Sequence, residues 1–421
     1  MNTYRRLLAL SAVMLILGFG PLYAQQKATR TLFDTHFTGG TLRIDCLRYG
    51  NAYADTVWPS RWLDRNSPWH GSRTRLVDPF DKGEYRVEIR DTATGEVLYS
   101  RGYSNLFREY CGTDEGKEKM YAFEETLLLP MPRHVVHIVL QKRDRRQRMR
   151  DATTLTFDPA LKPLPIFPFP NSVNNCAFSK VAGPSDSKID LAVVAQGYDG
   201  LPDSVVVRDI RRLAGMVLDK EPFASHADDF NIYGVRGDAG AEFNTFGSDR
   251  YLMTGHVWQL HDVLGTLPCD FIIVMVNDER YGGGGIYNFY AATSLNWQAQ
   301  YVLPHELGHA IGGLADEYVD EELSYASLHQ SKVEPVEPNI TNLKNFEGKW
   351  QAMLAPGTPV PTPPDTTVSR KECGPLGVYE GAGYAAHGMY RPAMHCMMRD
   401  YGPFCPVCSR RLEEVFGLYT R

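Results

Sequence analysis

The sequence is short of several things, and each shortage excludes a class of protein. It has no sustained heptads, no solenoid-like period and no collagen-like period, which excludes coiled coils, repeat arrays and fibrous chains. Neither sign of charge dominates. With 44 basic and 50 acidic residues, a net charge of −6 makes no overall electrostatic case for nucleic acid or an anionic membrane as partner. Beyond residues 1–24 no apolar run is long enough to cross a bilayer, which takes about 20 residues. Cysteine is scarce, 8 in 421 residues. A hydrophobic share of 43% and a charged share of 22% lie close to globular averages and exclude a mainly disordered chain. At about 100–200 residues per domain, the length points to two or three domains, each able to bury a core. Composition describes a globular chain and is silent on chemistry.

Residues 1–24 read as a secretory signal peptide. Arg5 and Arg6 form a basic start, Leu7 to Gly20 is apolar, and Leu22-Tyr23-Ala24 sets a small residue before Gln25-Gln26. The run is shorter than a membrane anchor and ends at Gly20-Pro21, so a mature chain exported without a span is expected. Its destination is periplasmic, cell-surface or extracellular. All eight cysteines lie in the mature chain, and an even count in an exported protein permits disulfides. Cys373, Cys396, Cys405 and Cys408 crowd together, so any staple is expected there. Cys405-Pro406-Val407-Cys408 also has the form of half a zinc knuckle or a redox pair, but no second CxxC exists. A structural disulfide or plain buried cysteines is the preferred reading.

Residues 25–156 read as a β-rich domain. Tyr85, Val87 and Ile89 alternate with Arg86, Glu88 and Arg90, and Val136, Ile138 and Leu140 repeat the period of 2, as in a small antiparallel sandwich. No catalytic constellation is visible in this block. Residues 157–175 read as a linker, because Pro159, Pro163, Pro165, Pro168 and Pro170 fix φ and remove donors. From 176 to 421 the pattern becomes α+β with α/β-like alternation. Ile189 to Ala195 and Phe271 to Val276 are buried strands, and Val206, Ile210, Leu213 and Val217 share one helix face.

The chemistry lies in His305-Glu306-Leu307-Gly308-His309. On a helix, residues i and i+4 share a face, so two imidazoles reach one metal ion, while Glu306 sits about 100° around, close enough to work on a metal-bound water. A catalytic zinc wants three protein ligands and one open position. A straight helix would carry Asp316 about 10.5 Å along the axis from His309, too far to share that ion. Gly312-Gly313 offers the left-handed angles that end a helix and turn the chain back, which returns Asp316 or Glu317 to the metal. Pro304 is tolerated if the helix begins there or is kinked just upstream.

The HExxH followed by a glycine-linked acidic residue resembles the metzincin metallopeptidases, whose third ligand comes six residues after the second histidine. Here Asp316 comes seven after it. Cys396-Met397-Met398-Arg399 is similar to the metzincin methionine turn, with Met398 the first choice and Met397 next. Gly312-Gly313-Leu314-Ala315-Asp316-Glu317-Tyr318, Tyr281 to Asn288, Tyr390-Arg391-Pro392, Val193 to Tyr198 and Leu98 to Tyr103 together resemble the bacterial IgA-peptidase family of zinc metallopeptidases. The resemblance implies a metzincin-type catalytic domain of α+β class behind a small antiparallel β-sandwich-like domain. It implies one catalytic Zn2+ on His305, His309 and Asp316, with Glu306 as general base. Glu317 is the rival third ligand; His387 and His395 are remoter. For the oxyanion, a tyrosine or an arginine is expected to assist the metal. Tyr390 is the choice, and Tyr384 flanks the same segment. Ile286 to Thr293 would offer an edge strand to an extended peptide, with Gly282–Gly285 as a mobile rim or a plain turn.

The function this implies is a secreted zinc endopeptidase acting on a polypeptide substrate. A zinc amidase or deacylase on a non-protein substrate is the alternative, as is a catalytically dead surface binding protein. The family name assigns no substrate, since nothing near the motif specifies the residues around a scissile bond.

Overall fold

The computed structural model describes residues 32–161, 164–166, 176–320 and 333–420. The expected signal peptide, residues 1–24, and most of the proline-rich stretch lie outside them. Seven strands come first: β1 (Phe37–Gly50), β2 (Asp55–Pro68), β3 (Tyr85–Asp91), β4 (Val97–Tyr103), β5 (Tyr121–Pro132), β6 (Val136–Arg143) and β7 (Met149–Phe157). They form two antiparallel sheets, ordered β2-β1-β5 and β4-β3-β6-β7. The inward residues of the period-2 pattern, Val87, Ile89, Ile138 and Leu140, meet Leu42 and Ile44 of the other sheet in one core.

The second block is built on a six-stranded sheet. It contains β8 (Cys176–Lys180), β9 (Ile189–Gln196), β10 (Phe230–Arg236), a short ladder of β11 (Ala241–Glu242) with β12 (Met253–Thr254), then β13 (Phe271–Val276), β14 (Gly283–Ile286) and β15 (Tyr290–Ser294). The sheet order is β14-β15-β13-β9-β10-β8, with the four central strands parallel and antiparallel strands at both edges. Both faces are covered, which is why β9 and β13 read as unbroken apolar runs. Ala192 and Val194 of β9 and Ile272 and Val274 of β13 join the core of the N-terminal sheets. Their neighbours Leu191, Val193, Ile273 and Met275 point the other way, into a second core. That second core is closed by helices α1 (Asp203–Leu218), α3 (Ala299–Gly312) and α5 (Pro406–Thr420), while α2 (Val257–Leu264) lies in the first. A hairpin of β16 (Tyr379–Ala382) and β17 (Ala385–Arg391) and the short α4 (Met397–Asp400) complete the described elements used below.

Two expectations need correction. The edge strand is the glycine run itself, Gly283–Ile286, and Tyr290–Ser294 is an inner strand between it and β13. Gly283 already gives its amide to Arg250 and its carbonyl to Leu252, so part of that edge is paired. The glycines are a strand bordering the cleft, not a turn, and they let helix α3 lie directly on it. A Cβ on Gly285 would sit 2.2 Å from the Glu306 carbonyl oxygen, and one on Gly283 would sit 2.4 Å from Val302. The second correction concerns a helix start at Pro304, which is excluded because Pro304 stands inside a helix that begins at Ala299. The carbonyl it leaves without a helical donor is that of Gln300, an exposed residue one turn back.

Because the obstruction at Gly285 is backbone, Gly285→Ala is expected to destabilise the fold by about 1–3 kcal/mol. Thermal unfolding reads this; an unchanged melting temperature would show that the strand and helix need not touch so closely.

Candidate active site

Helix α3 delivers both histidines to one point. His305 donates through Nδ1 to the Met397 carbonyl at 2.9 Å, and His309 donates through Nδ1 to the Leu314 carbonyl at 2.6 Å. Each bond fixes the tautomer and turns the Nε2 lone pair into the pocket. The Met398 thioether packs beneath the same helix, where a Cβ on Gly308 would sit 2.4 Å from its sulfur.

The chain then turns back. Gly313 adopts φ 60° and ψ 35°, its amide reaches the His309 carbonyl as in an αL helix ending, and the Leu314 amide reaches the Gly308 carbonyl. Asn339 holds the segment that follows. Its side chain, fully buried, accepts from the Ala315 amide at 2.8 Å and donates to the Ala315 carbonyl at 2.9 Å.

The turn brings Asp316 Oδ1 to 3.1 Å from His305 Nε2 and 3.4 Å from His309 Nε2, and the two Nε2 atoms lie 3.2 Å apart. Oδ1 is buried and meets no hydrogen bond of acceptable geometry. A tetrahedral zinc with bonds of about 2.0–2.2 Å places its ligand atoms about 3.3–3.5 Å apart, so the residues fit such an ion. Glu306 offers a carboxylate oxygen within 4.8 Å of both imidazole nitrogens and lines the cleft. Glu317, the neighbour of Asp316, faces the opposite side, toward Cys408.

Of the tyrosines, Tyr384 reaches the site and Tyr390 does not. The β16–β17 turn carries Tyr384 over Asp316, and its hydroxyl donates to Asp316 Oδ2. Tyr390 lies six residues further along β17, packs against the second core and lines no part of the cleft. Tyr401, not singled out from the sequence, stands with its ring 5.8 Å from that of His305 and its hydroxyl 2.7 Å from that of Tyr281. His387 is exposed beside Glu380, and His395 is tied to Asp400 and the Val368 carbonyl; neither approaches the pair.

The cleft encloses about 550 Å³, and the N-terminal block forms one of its walls. Asn105 and Glu109 belong to that block. Asn105 caps a short helix, Leu106–Tyr110, and donates to the buried Glu125, which also pairs with Arg48. This network holds Glu109 in the cleft, where burial pushes its carboxyl up to about 7 and the Tyr251 hydroxyl donates to it. No local pattern marks Glu109, because it reaches the site only through tertiary packing.

Burial alone would lower His309, but Asp316 and then Glu306 outweigh it and raise it to about 9. Burial would raise Asp316, yet His309 and His305 hold it well below the usual carboxylate range. Burial lifts Glu306 above an ordinary glutamate against the pull of both histidines.

Residues 235–374 and 367–416 match the family profile of IgA Peptidase M64, and residues 32–154 match that of the Peptidase M64 N-terminus. Together they span more than half of the chain, and the class they define is a peptidase, a hydrolase of peptide bonds. The chain belongs to the IgA peptidase M64 family. No curated protein matches it. Among the described residues, no helix is long and apolar enough to cross a membrane.

Two outcomes follow. Tyr384→Phe frees Asp316 Oδ2 and is expected to weaken metal binding about 10–100-fold with the fold intact, read by competition with a chromophoric chelator. Unaltered affinity would show that the hydroxyl does not orient the carboxylate. The second is a pH dependence. A histidine raised from 6.5 to about 9 contributes stability that is present below 6.5 and lost as pH rises through 9. Metal-free protein should therefore lose melting temperature across that window, while apparent metal affinity rises as the competing proton leaves. Titrating both between those limits checks the sign.

Proposed function

We propose that this peptidase is an exported, zinc-dependent endopeptidase of metzincin type. Residues 25–156 form its accessory domain, 157–175 its linker and 176–421 its catalytic domain. The observation that carries the reading is the meeting of His305 Nε2, His309 Nε2 and an otherwise unbonded Asp316 Oδ1 within 3.1–3.4 Å of one another. The methionine beneath the helix and the glycine turn after His309 support the metzincin comparison.

His305, His309 and Asp316 would hold the zinc. Bound there, it supplies a Lewis acid that polarises the scissile carbonyl and makes a neighbouring water acidic. Glu306, with its carboxylate in the cleft and its pKa raised by burial, takes a proton from that water and passes it to the leaving amine. Tyr401 replaces Tyr390 as the oxyanion donor. Its hydroxyl and that of Tyr281 hold two protons, their mutual bond uses one, and the other is left to donate to substrate. Tyr384 is a positioning residue, acting through Asp316. The cleft, lined by residues of both blocks, is open to a polypeptide substrate.

Glu306→Ala is expected to retain zinc and melting temperature while lowering kcat/KM on an unstructured protein by about 10²–10⁴-fold. A chelator should abolish wild-type cleavage and added zinc restore it. Undiminished turnover in Glu306→Ala would remove the base from its role. Hydrolysis confined to small amides would replace the endopeptidase reading with an amidase.

A further inference from the structure

Seven and ten residues beyond Met398, the sequence presents Cys405 and Cys408, and the fold gathers them with Cys396 and Glu317. All four are buried, and their ligand atoms lie within 4.8 Å of one another. We propose that Glu317, Cys396, Cys405 and Cys408 hold a second zinc ion, a structural one, behind the wall of the catalytic cleft.

The distances favour a shared ion over a disulfide. Cys396 Sγ and Cys408 Sγ are 3.7 Å apart, and Cys408 Sγ is 3.3 Å from Glu317 Oε1. Zinc with Zn–S bonds of about 2.3 Å sets tetrahedral sulfurs about 3.8 Å apart and a sulfur and an oxygen about 3.5 Å apart. A disulfide demands about 2.05 Å. Among the described residues Cys396, Cys405 and Cys408 are all free thiols, and the fourth cysteine of the crowd, Cys373, turns its sulfur to the Pro403 carbonyl instead.

The composition of the cluster points the same way. Three thiols cannot pair evenly, so any disulfide would strand a buried thiol beside a buried carboxylate. Glu317 is 0% exposed, Asn339 donates to its Oε1 at 2.9 Å, and Oε2 meets no hydrogen bond. An ion bound to this carboxylate would offset the cost of burying it with so few donors. Cys405 precedes α5 and Cys408 lies in its first turn, so the CxxC straddles a helix start as in zinc knuckles. The Cys405 amide donates to Cys396 Sγ at 3.4 Å. On binding, the protons held by the three thiols and by the Glu317 carboxyl are released to solvent. The centre of one Zn2+, three thiolates and one carboxylate is doubly negative and lies near the buried Arg391.

The position gives the ion a purpose. It would tie the residue after Asp316 to the residue before α4 and to the start of α5. The Met397 carbonyl accepts from His305, and the Met398 carbonyl accepts from the Glu317 amide at 2.8 Å. The second ion would thereby brace the backbone on which the first site stands.

Metal analysis of the full-length purified protein tests this. In His305→Ala/His309→Ala, one zinc per chain is expected to remain; none would overturn the proposal. Cys405→Ser/Cys408→Ser should lose one zinc. Should that variant fail to fold, cobalt added to metal-stripped His305→Ala/His309→Ala must give a thiolate-to-cobalt charge-transfer band, and its absence overturns the proposal. Alkylation in denaturant without reductant should label Cys396, Cys405 and Cys408; a disulfide joining any two sinks the idea. A single wild-type zinc that survives the histidine changes would refute the cleft zinc and leave this one standing. A single zinc that vanishes with them would do the reverse.

Discussion

One helix ending governs the site. Where α3 stops, Gly313 turns left-handed, and the Leu314 carbonyl made available by that turn is the acceptor that orients His309. The same reversal puts Asp316 beside both imidazoles, which a continued helix would carry away from it. Terminating the helix, choosing a tautomer and supplying a third oxygen are thus one event. A residue other than glycine at 313 meets both a strained angle and the Tyr287 ring, 3.1 Å from where its Cβ would lie.

The adjacent carboxylates then part company. Asp316 and Glu317 follow the turn in non-helical backbone and face opposite ways, one to the imidazoles and one to the thiols. Neighbouring side chains diverge in this manner in extended chain. A dipeptide that reads as two rivals for one place therefore supplies two places. Burying both acids would be unfavourable without cations or donors on each side, so the two pockets share a cost as well as a segment of backbone.

What was legible in the sequence is what depends on short range. The period-2 strands, the unbroken runs of β9 and β13 and the His305–His309 spacing are local patterns, and the fold uses them as such. The glycine run misled because glycine has little strand propensity; only the proximity of α3 makes β14 a strand of glycines. Tyrosine is plentiful, 23 in the chain, so proximity along the sequence favoured Tyr390 although the hairpin turn presents Tyr384. Glu109 and the meeting of Glu317 with three cysteines rest on contacts between distant segments, which no window of sequence reveals.

The N-terminal block is more than an appendage to the cleft it helps to line. Helix α2 belongs to the second block, yet its own N-cap, His256, makes no capping bond. Glu124 of β5 accepts from the Trp258 amide at its start, and Arg65 of β2 donates to the Gly265 and Leu267 carbonyls at its end. Negative charge at the first turn and positive charge at the last is the arrangement a helix dipole favours. Arg43 and Arg65 are almost wholly buried, and Arg43 reaches the Trp258 carbonyl and Asp262. Separating the blocks would strip α2 of partners at both ends and expose one face of the central sheet. It would also take from Arg65 the two carbonyls it reaches and leave Arg43 with Asp45 of its own strand. The wall that holds Glu109 is therefore fixed to the sheet that carries the histidines, and the cleft owes its shape to both.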